Sequence, residues 1–594
     1  MTYALKLTSL LFVASLQAQQ VDWVNNVKNK PVIDVRSAPY KAKCDGVSDD
    51  YSAVQVAINA AQSAGGGEVV IPCTAIKWGS TINIIGNNIG FHGLSGMATN
   101  VTCPGGSADC IYVTGIYDTI GNLTLHAPVK TGGFGINSFV TQWLTIENFL
   151  IDGLPNGINL NGAVTAFVRH GQINNPAAST GDAILVGSCI GVGVSNCGND
   201  QWIEDVTTNA GSGASAADAS IRVYNSGLLT ITNSDFIWGI NGLKATPGNG
   251  QSALIYTNNV FFDTTLGSPM LLAPTGTGVL QIGHYTNTWF ASSTTGSGAS
   301  IGGVVGSVNT TTGASGGCAA YCVAWVSGPL FTSTLQNTSL TINNVVYAVN
   351  VLNSPTLITL YTDPGNQNGA VWQETVRDQV FTSCEFINNW KDGIDLNDGA
   401  SDITIANSVF QNNSEASSGS YSDIVMAGGL NYITIANNRF PKNTGFGAEP
   451  GYNLVLNSGP TNNLIVTGNT FLNYIGAPVR DLSTSGPYNK IWSGNIGIST
   501  GAPGSVTAAT TLDLTTAGVF PQDQYIVFGT TIIQNMFPVW YWRVVKLLFI
   551  DAAPGGVVVG GTAGTSFNTT VTRTQYQTLT CTYWGAVGLY WSCQ

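Results

Sequence analysis

Charge is scarce in this chain. Asp, Glu, Lys and Arg make up 9% of the 594 residues, and 32 acids outnumber 20 bases for a net charge of −12. No basic face is available to neutralise nucleic-acid phosphates, which excludes DNA and RNA as partners. Histidine is scarcer still. His92, His126, His170 and His284 are scattered without an HxxxH pattern, and none of the eleven cysteines has CxxC spacing, so no transition-metal site and no cofactor are expected. No apolar run approaches the roughly 18 residues that span a bilayer. No membrane span is expected.

What is abundant is glycine, 72 residues of it, in a chain 44% hydrophobic. With Asn, Thr and Ser recurring throughout, this suits many short strands and tight turns and points to an all-β protein of more than one structural unit. Fourteen Trp and 21 Tyr fit a partner bound by stacking and neutral hydrogen bonds, as sugars are, although most such rings fill cores. Cys103/Cys110, Cys189/Cys197, Cys318/Cys322 and Cys581/Cys593 lie close enough in sequence to bridge in an oxidising compartment. Residues 1–30 carry an apolar run, Leu10 to Leu16. It reads either as a secretion signal or as an uncleaved anchor, since Leu16 stands where a cleavage site wants a small residue.

The stretch CDGVSDDYSAVQVAINAAQSAGGGEVVIP, Cys44 to Pro72, has a definite grammar. Ser48 is placed to cap a helix with Asp49 and Asp50 in its first turn and Val54, Ala57, Ile58 and Ala61 on one face. Gly65 to Gly67 then stop it, and Glu68 to Pro72 read as a strand. A phosphate loop is excluded because the glycines follow the helix. Asp45, Asp49 and Asp50 also lack the alternating spacing of a calcium loop.

This unit resembles the opening of the pectate-lyase-like superfamily of right-handed parallel β-helices, which includes many phage tailspikes. Asp45, Gly46, Asp49, Asp50, Ile58, Gly66, Gly67, Ile71 and Pro72 match, Trp78 is slightly late for the usual aromatic, and Cys44 departs from the pattern. The resemblance implies that the helix caps the first coil. It implies nothing about chemistry.

A solenoid should repeat, and this sequence does. Windows ending at Phe236, Phe261, Phe290, Phe386, Phe410, Phe440 and Phe471 align at spacings of 25, 29, 96, 24, 30 and 31 residues. Three residues before each stands a turn-capable residue, mostly Asn, able to hydrogen-bond up the stack. A second strand per coil places Ile158, Ile184, Ile221, Ile394, Ile424 and Leu454 inside. The 96-residue interval holds about 70 extra residues that read as an inserted small β-barrel built on Phe331, Leu340 to Ile342, Tyr347 to Val349 and Leu357 to Leu360. After Gly497 the repeat gives way to alternating strands similar to the C-terminal β-sandwich of tailspikes, which caps or trimerises the rod.

The expected domains are 1–30, an anchor or signal-like segment; 31–110, the capping helix and first coils; 111–299, β-helix; 300–375, the inserted barrel; 376–496, β-helix continued; and 497–594, the C-terminal cap. Outward positions carry function because inward ones are packed. The most acidic exterior stretch offers Glu385, Asp392, Asp395 and Asp398, with Lys391 and Arg439 nearby, as candidates for the paired carboxylates of glycoside hydrolysis or for lyase chemistry. Glu147 with Asp152 and Glu204 with Asp205 come next. The paired aspartates and R-I-K of polygalacturonases and the calcium set of pectate lyases are missing.

Three readings stay open. One is a homotrimeric phage tailspike, assembled with other virion tail proteins, that binds and depolymerises a cell-surface polysaccharide. Another is a secreted bacterial polysaccharide hydrolase or lyase, and the third a fibre or adhesin without turnover. The location is accordingly a virion tail or extracellular.

Overall fold

The computed structural model describes residues 30–497 apart from 128, 175–180, 189–197, 211–216, 249–250, 264, 275–277, 303–304, 328–330, 332–338, 343–344, 375, 398–399, 428–429, 443–446, 458–461 and 483–489. Beyond 497 it describes nine strands together with Ile533 and Gln594. The anchor or signal-like segment, Cys189, Cys197 and Asp398 lie outside the described residues. Two compact units divide the chain, residues 1–236 and 237–594.

The first unit opens on a helix, Tyr51–Ser63, that buries Val54, Ala57, Ile58 and Ala61. Its start corrects the expected cap. Asp50, not Ser48, is the N-cap residue, and the first turn contains no acid. The reason is that the three aspartates and the serine are committed to the loop. Asp45 accepts the Val47 and Ser48 amides and the Ser48 hydroxyl, Asp49 accepts the Tyr51 and Gly79 amides, and Asp50 accepts those of Lys43 and Cys44. A Cys44–Cys73 disulfide closes the loop that carries the helix.

Parallel strands then stack in two sheets. In one, Ile82, Ile111, Ile136, Ile158, Ile184 and Ile221 fall in register on successive strands, and all six are buried. β-branched side chains suit such a column because their fixed rotamers stack on the next strand without rearranging. In the other, Gln142–Asp152 pairs with Val164–Asn174, which pairs with Asp200–Asn209.

The second unit repeats the plan with a column of rings. Phe262, Phe290, Phe386, Phe410, Phe440 and Phe471 stack with centroids 5.8, 5.0, 4.8, 5.0 and 4.8 Å apart, and all are fully buried. One rung differs from the sequence reading, which ended that window at Phe261. Two phenylalanines are adjacent there, and alternation along the strand sends one inward and one outward. Phe262 is in register with Phe290, whereas Phe261 is 39% exposed and meets Trp289 edge-on at 5.2 Å.

Asn287, Ser383, Asn407, Asn437 and Gly468, three residues before their Phe, all have φ between 48° and 67°. This left-handed bend separates two strand segments per coil and favours Asn and Gly. Because the bend turns these side chains outward, the main hydrogen-bond ladder runs one residue later, on the inward side. The Ser408 amide donates to Asn438 Oδ1, the Asn438 amide to Asn469 Oδ1, and the Asn469 amide to Asn495 Oδ1, each at 2.9 Å.

The coil runs on across the insertion as if it were not there. Val279–Ala291 pairs with Gln379–Thr382 and Glu385–Ile387, and Ala299–Ile301 with Ile394–Leu396. Between them, six strands from Val305–Thr311 to Gln367–Glu374 close an antiparallel barrel. Its core contains Phe331, Leu340, Ile342, Val349, Ile358, Leu360 and Trp372. Toward the C-terminus, Gly504–Thr507, Gln524–Phe528, Val544–Phe549, Thr578–Trp584 and Tyr590–Cys593 form a mixed five-stranded sheet. Cys581–Cys593 bridges its last two strands. The protein is a right-handed parallel β-helix with a capping helix and an inserted barrel.

Candidate functional site

Each coil of the second unit presents two outward columns on its first strand segment. Counting six residues back from each buried Phe gives His284, Val380, Thr404, Thr434 and Ile465, which pair in register and continue to Ile491. Counting eight back gives Ile282, Asp378, Asp402, Tyr432 and Asn463. The last four hold φ between 52° and 57°, a conformation cheap for Asp and Asn and costing Tyr432 about 1–2 kcal/mol. Together the columns line a groove of about 800 Å³.

The groove's chemistry is concentrated at Asp378 and Asp402, one coil apart. Neighbouring strands of a sheet lie about 4.8 Å apart, so the two carboxylates repel. Burial, with Asp378 second, raises the Asp402 pKa, opposed by the Ser401 hydroxyl, 3.3 Å from Asp402 Oδ2, and by the nearby Arg377 guanidinium. Beside them the His284 ring stacks on Tyr256 with centroids 4.9 Å apart and planes 5° from parallel. A carboxyl whose pKa is raised, beside a second carboxyl one coil away, is an arrangement that acid–base cleavage of a glycosidic bond can use. Neither was picked from sequence, although the alignment on phenylalanine held the signal: the position eight back is Asp in two consecutive coils.

The acidic candidates of the sequence are dispersed. Glu385 lies on the sheet of the groove, in register with Trp289 and Val409. Asp395 lies on the other sheet, opposite Ser300 and Val425, so the structure does not bring these two together. Asp392 is buried, its Oδ1 accepting the Ser422 amide at 2.7 Å, and burial pushes its pKa up to about 7. That is a turn-holding carboxylate which fixes the next coil. Asp395 accepts from Asn397 at 3.3 Å and is also raised, chiefly by burial.

In the first unit, Glu147 is bound by Arg169 at 2.8 Å and Asp152 by Asn174 at 3.1 Å. Glu204 lies in register with Arg169, and Asp205 holds His170 at 2.9 Å. Among the described residues no cluster of three or more His, Cys, Asp or Glu is arranged to hold a metal ion. No helix described is long and apolar enough to cross a membrane.

The class of protein is therefore a parallel β-helix with an outer-wall groove. No family model matches the chain and no curated protein matches it. Solved structures similar to it include Bacteriophage CBA120 tailspike protein 3, 10% identical, with 84% of this chain and 67% of that chain covered and a TM-score of 0.47. The Agl-KA catalytic domain is 14% identical over 79% of this chain and 68% of its own, with a TM-score of 0.40. The A-module of the Azotobacter vinelandii mannuronan C-5 epimerase AlgE4 is 13% identical over 79% and 96%, with a TM-score of 0.32.

Proposed function

We propose that this protein binds a cell-surface polysaccharide along the groove and cleaves it there, as a homotrimeric tailspike or receptor-binding protein of a phage virion. The observation that carries the reading is the pair Asp378 and Asp402, set one coil apart in a groove with the Asp402 pKa raised. Asp402, its pKa raised chiefly by burial, protonates the leaving oxygen. Asp378, exposed at the groove, serves as base or nucleophile. The test is reducing-end release from capsular or lipopolysaccharide glycans. Asp402→Asn and Asp378→Asn should each lower the rate about 10²-fold or more, while Asp395→Asn leaves it unchanged. Loss of release with Asp395→Asn and not with Asp402→Asn would move the chemistry to Asp395. A solution mass of 62.0 kDa would count against the trimer.

The disulfides favour a second reading, a secreted polysaccharide hydrolase or lyase. Cys44–Cys73, Cys103–Cys110, Cys318–Cys322 and Cys581–Cys593 are bridged, and such bonds persist in oxidising compartments. Intact mass separates the two: bridged thiols with loss of an N-terminal segment fit secretion, and reduced thiols on an uncleaved chain fit the virion.

A further inference from the structure

We infer that the groove is built for an uncharged glycan that carries methyl groups, as 6-deoxyhexoses and acetylated sugars do, with those methyls laid over Tyr432, Ile465 and Ile491. The inference rests on the groove being the glycan site proposed above and adds the class of sugar.

The first observation is a run of exposed apolar side chains on the later rungs. Six strands contribute, from Val279–Ala291 to Lys490–Ser493, and at about 4.8 Å per rung they make a track about 24 Å long. His284, Asp378 and Asp402 occupy the early rungs beside the half-buried Ile282 and Val380, and Thr434 and Asn463 stand among the later ones. From Asn431–Ala436 onward the outward residues include Tyr432, Ile465 and Ile491, which are 57, 36 and 49% exposed. Single exposed apolar residues are ordinary, but three on consecutive rungs of one concave wall are a patch in want of an apolar partner. A plain hexose chain offers hydroxyls along most of its edge. A methyl from C6 or from an acetyl group supplies the missing apolar contact, and each one buried tightens binding about fourfold.

The second observation is the sign of the charge. The acids lining the track are Asp378 and Asp402, and its lining offers no Lys or Arg to hold a carboxylate or sulfate among the described residues. Arg377 stands beside the two aspartates and acts on Asp402, far along the track from Ile491. A polyuronate would meet Asp378 on the early rungs and find no Lys or Arg lining the later ones. Like charges brought together at such a surface cost affinity and select against that partner.

The experiment uses the full chain carrying Asp402→Asn, so that binding is read without cleavage. Asn463 shows that asparagine accepts this backbone conformation. Calorimetry is run against a soluble 6-deoxyhexose polymer, an O-acetylated neutral glycan, the same glycan deacetylated, and a polyuronate. The methyl-bearing polymers should bind at least about fourfold tighter than the deacetylated one, with the polyuronate weakest. Ile465→Asn with Ile491→Asn should bring the affinity of the methyl-bearing polymers down toward that of the deacetylated glycan. The first two polymers tell deoxy from acetyl sources. Equal binding of the deacetylated glycan, or tighter binding of the polyuronate, overturns the inference and leaves the glycan site standing. Binding of none of the four overturns both. A concentration-dependent rise in mass abolished by the double substitution would mean that a second copy of the chain covers the patch, which also overturns it.

Discussion

Phe261 and Phe262 are neighbours in sequence and opposites in structure, which lets one pair of substitutions test the whole register. Phe262 is fully buried and stacked on Phe290. Truncation to alanine removes a large core side chain, about 3–5 kcal/mol, and takes one of the two stacking partners from Phe290, a further ~0.5–1.5 kcal/mol. Phe261 is 39% exposed with an edge contact to Trp289, so Phe261→Ala should cost about 1 kcal/mol. Stacked coils behave as nearest-neighbour arrays, so the loss is best read locally. Amide hydrogen exchange in Val279–Ala291 should accelerate on the order of 10³-fold in Phe262→Ala and about fivefold in Phe261→Ala. Equal acceleration, or the reverse order, would refute the alternation on which both the phenylalanine column and the groove positions are counted.

Burial raises the pKa of Asp118, Asp392 and Asp423 to about 7. Each is protonated when folded at mildly acid pH, so its contribution to stability is complete below about pH 4 and is lost as pH rises through 7. Melting temperature should accordingly fall between pH 5 and pH 8, and Asp392→Asn, which keeps an acceptor for the Ser422 amide, should flatten that fall; a variant as steep as the parent would exclude Asp392 as a source. Asn469→Ala strips partners from the Asn438 amide and the Ile435 carbonyl and should cost about 2–3 kcal/mol in urea denaturation, whereas Asn437→Ala, at the exposed left-handed bend, should cost about 1–2 kcal/mol from backbone strain alone. Cys44→Ser releases the loop that holds the capping helix and should cost about 3–4 kcal/mol on the chain-entropy estimate, seen as early loss of protection in Tyr51–Ser63.

The trunk was legible because a parallel coil writes the same constraint into the sequence many times over. Ile158, Ile184, Ile221, Ile394, Ile424 and Leu454 were placed inside by alternation alone, and all six are buried. The amide ladder holds at Asn287, which donates to Asn258 Oδ1 at 3.3 Å, but in the later coils it runs one residue further on, because left-handed backbone is invisible to a pattern of polar and apolar letters. Asn407 and Ser408 look equally turn-like, and the fold turns one outward and the other in. The candidate site was missed for a different reason. Acid density drew attention to Asp392, a residue whose carboxylate is spent on a backbone amide of the next coil, whereas Asp378 and Asp402 stand apart in sequence and become neighbours through pairing across coils. Helix capping failed similarly: Ser48 has the right chemistry, but its hydroxyl is already given to Asp45.

The barrel invites a last deduction. Ile301 and Val376 are the points where the winding stops and resumes, and one turn later their equivalents Leu396 and Ala400 are joined by a short link of three residues. A segment this loosely demanded by its host behaves as a cargo bay: it can be emptied, refilled or resized by recombination without disturbing the winding on either side, so variation in this lineage should collect there first.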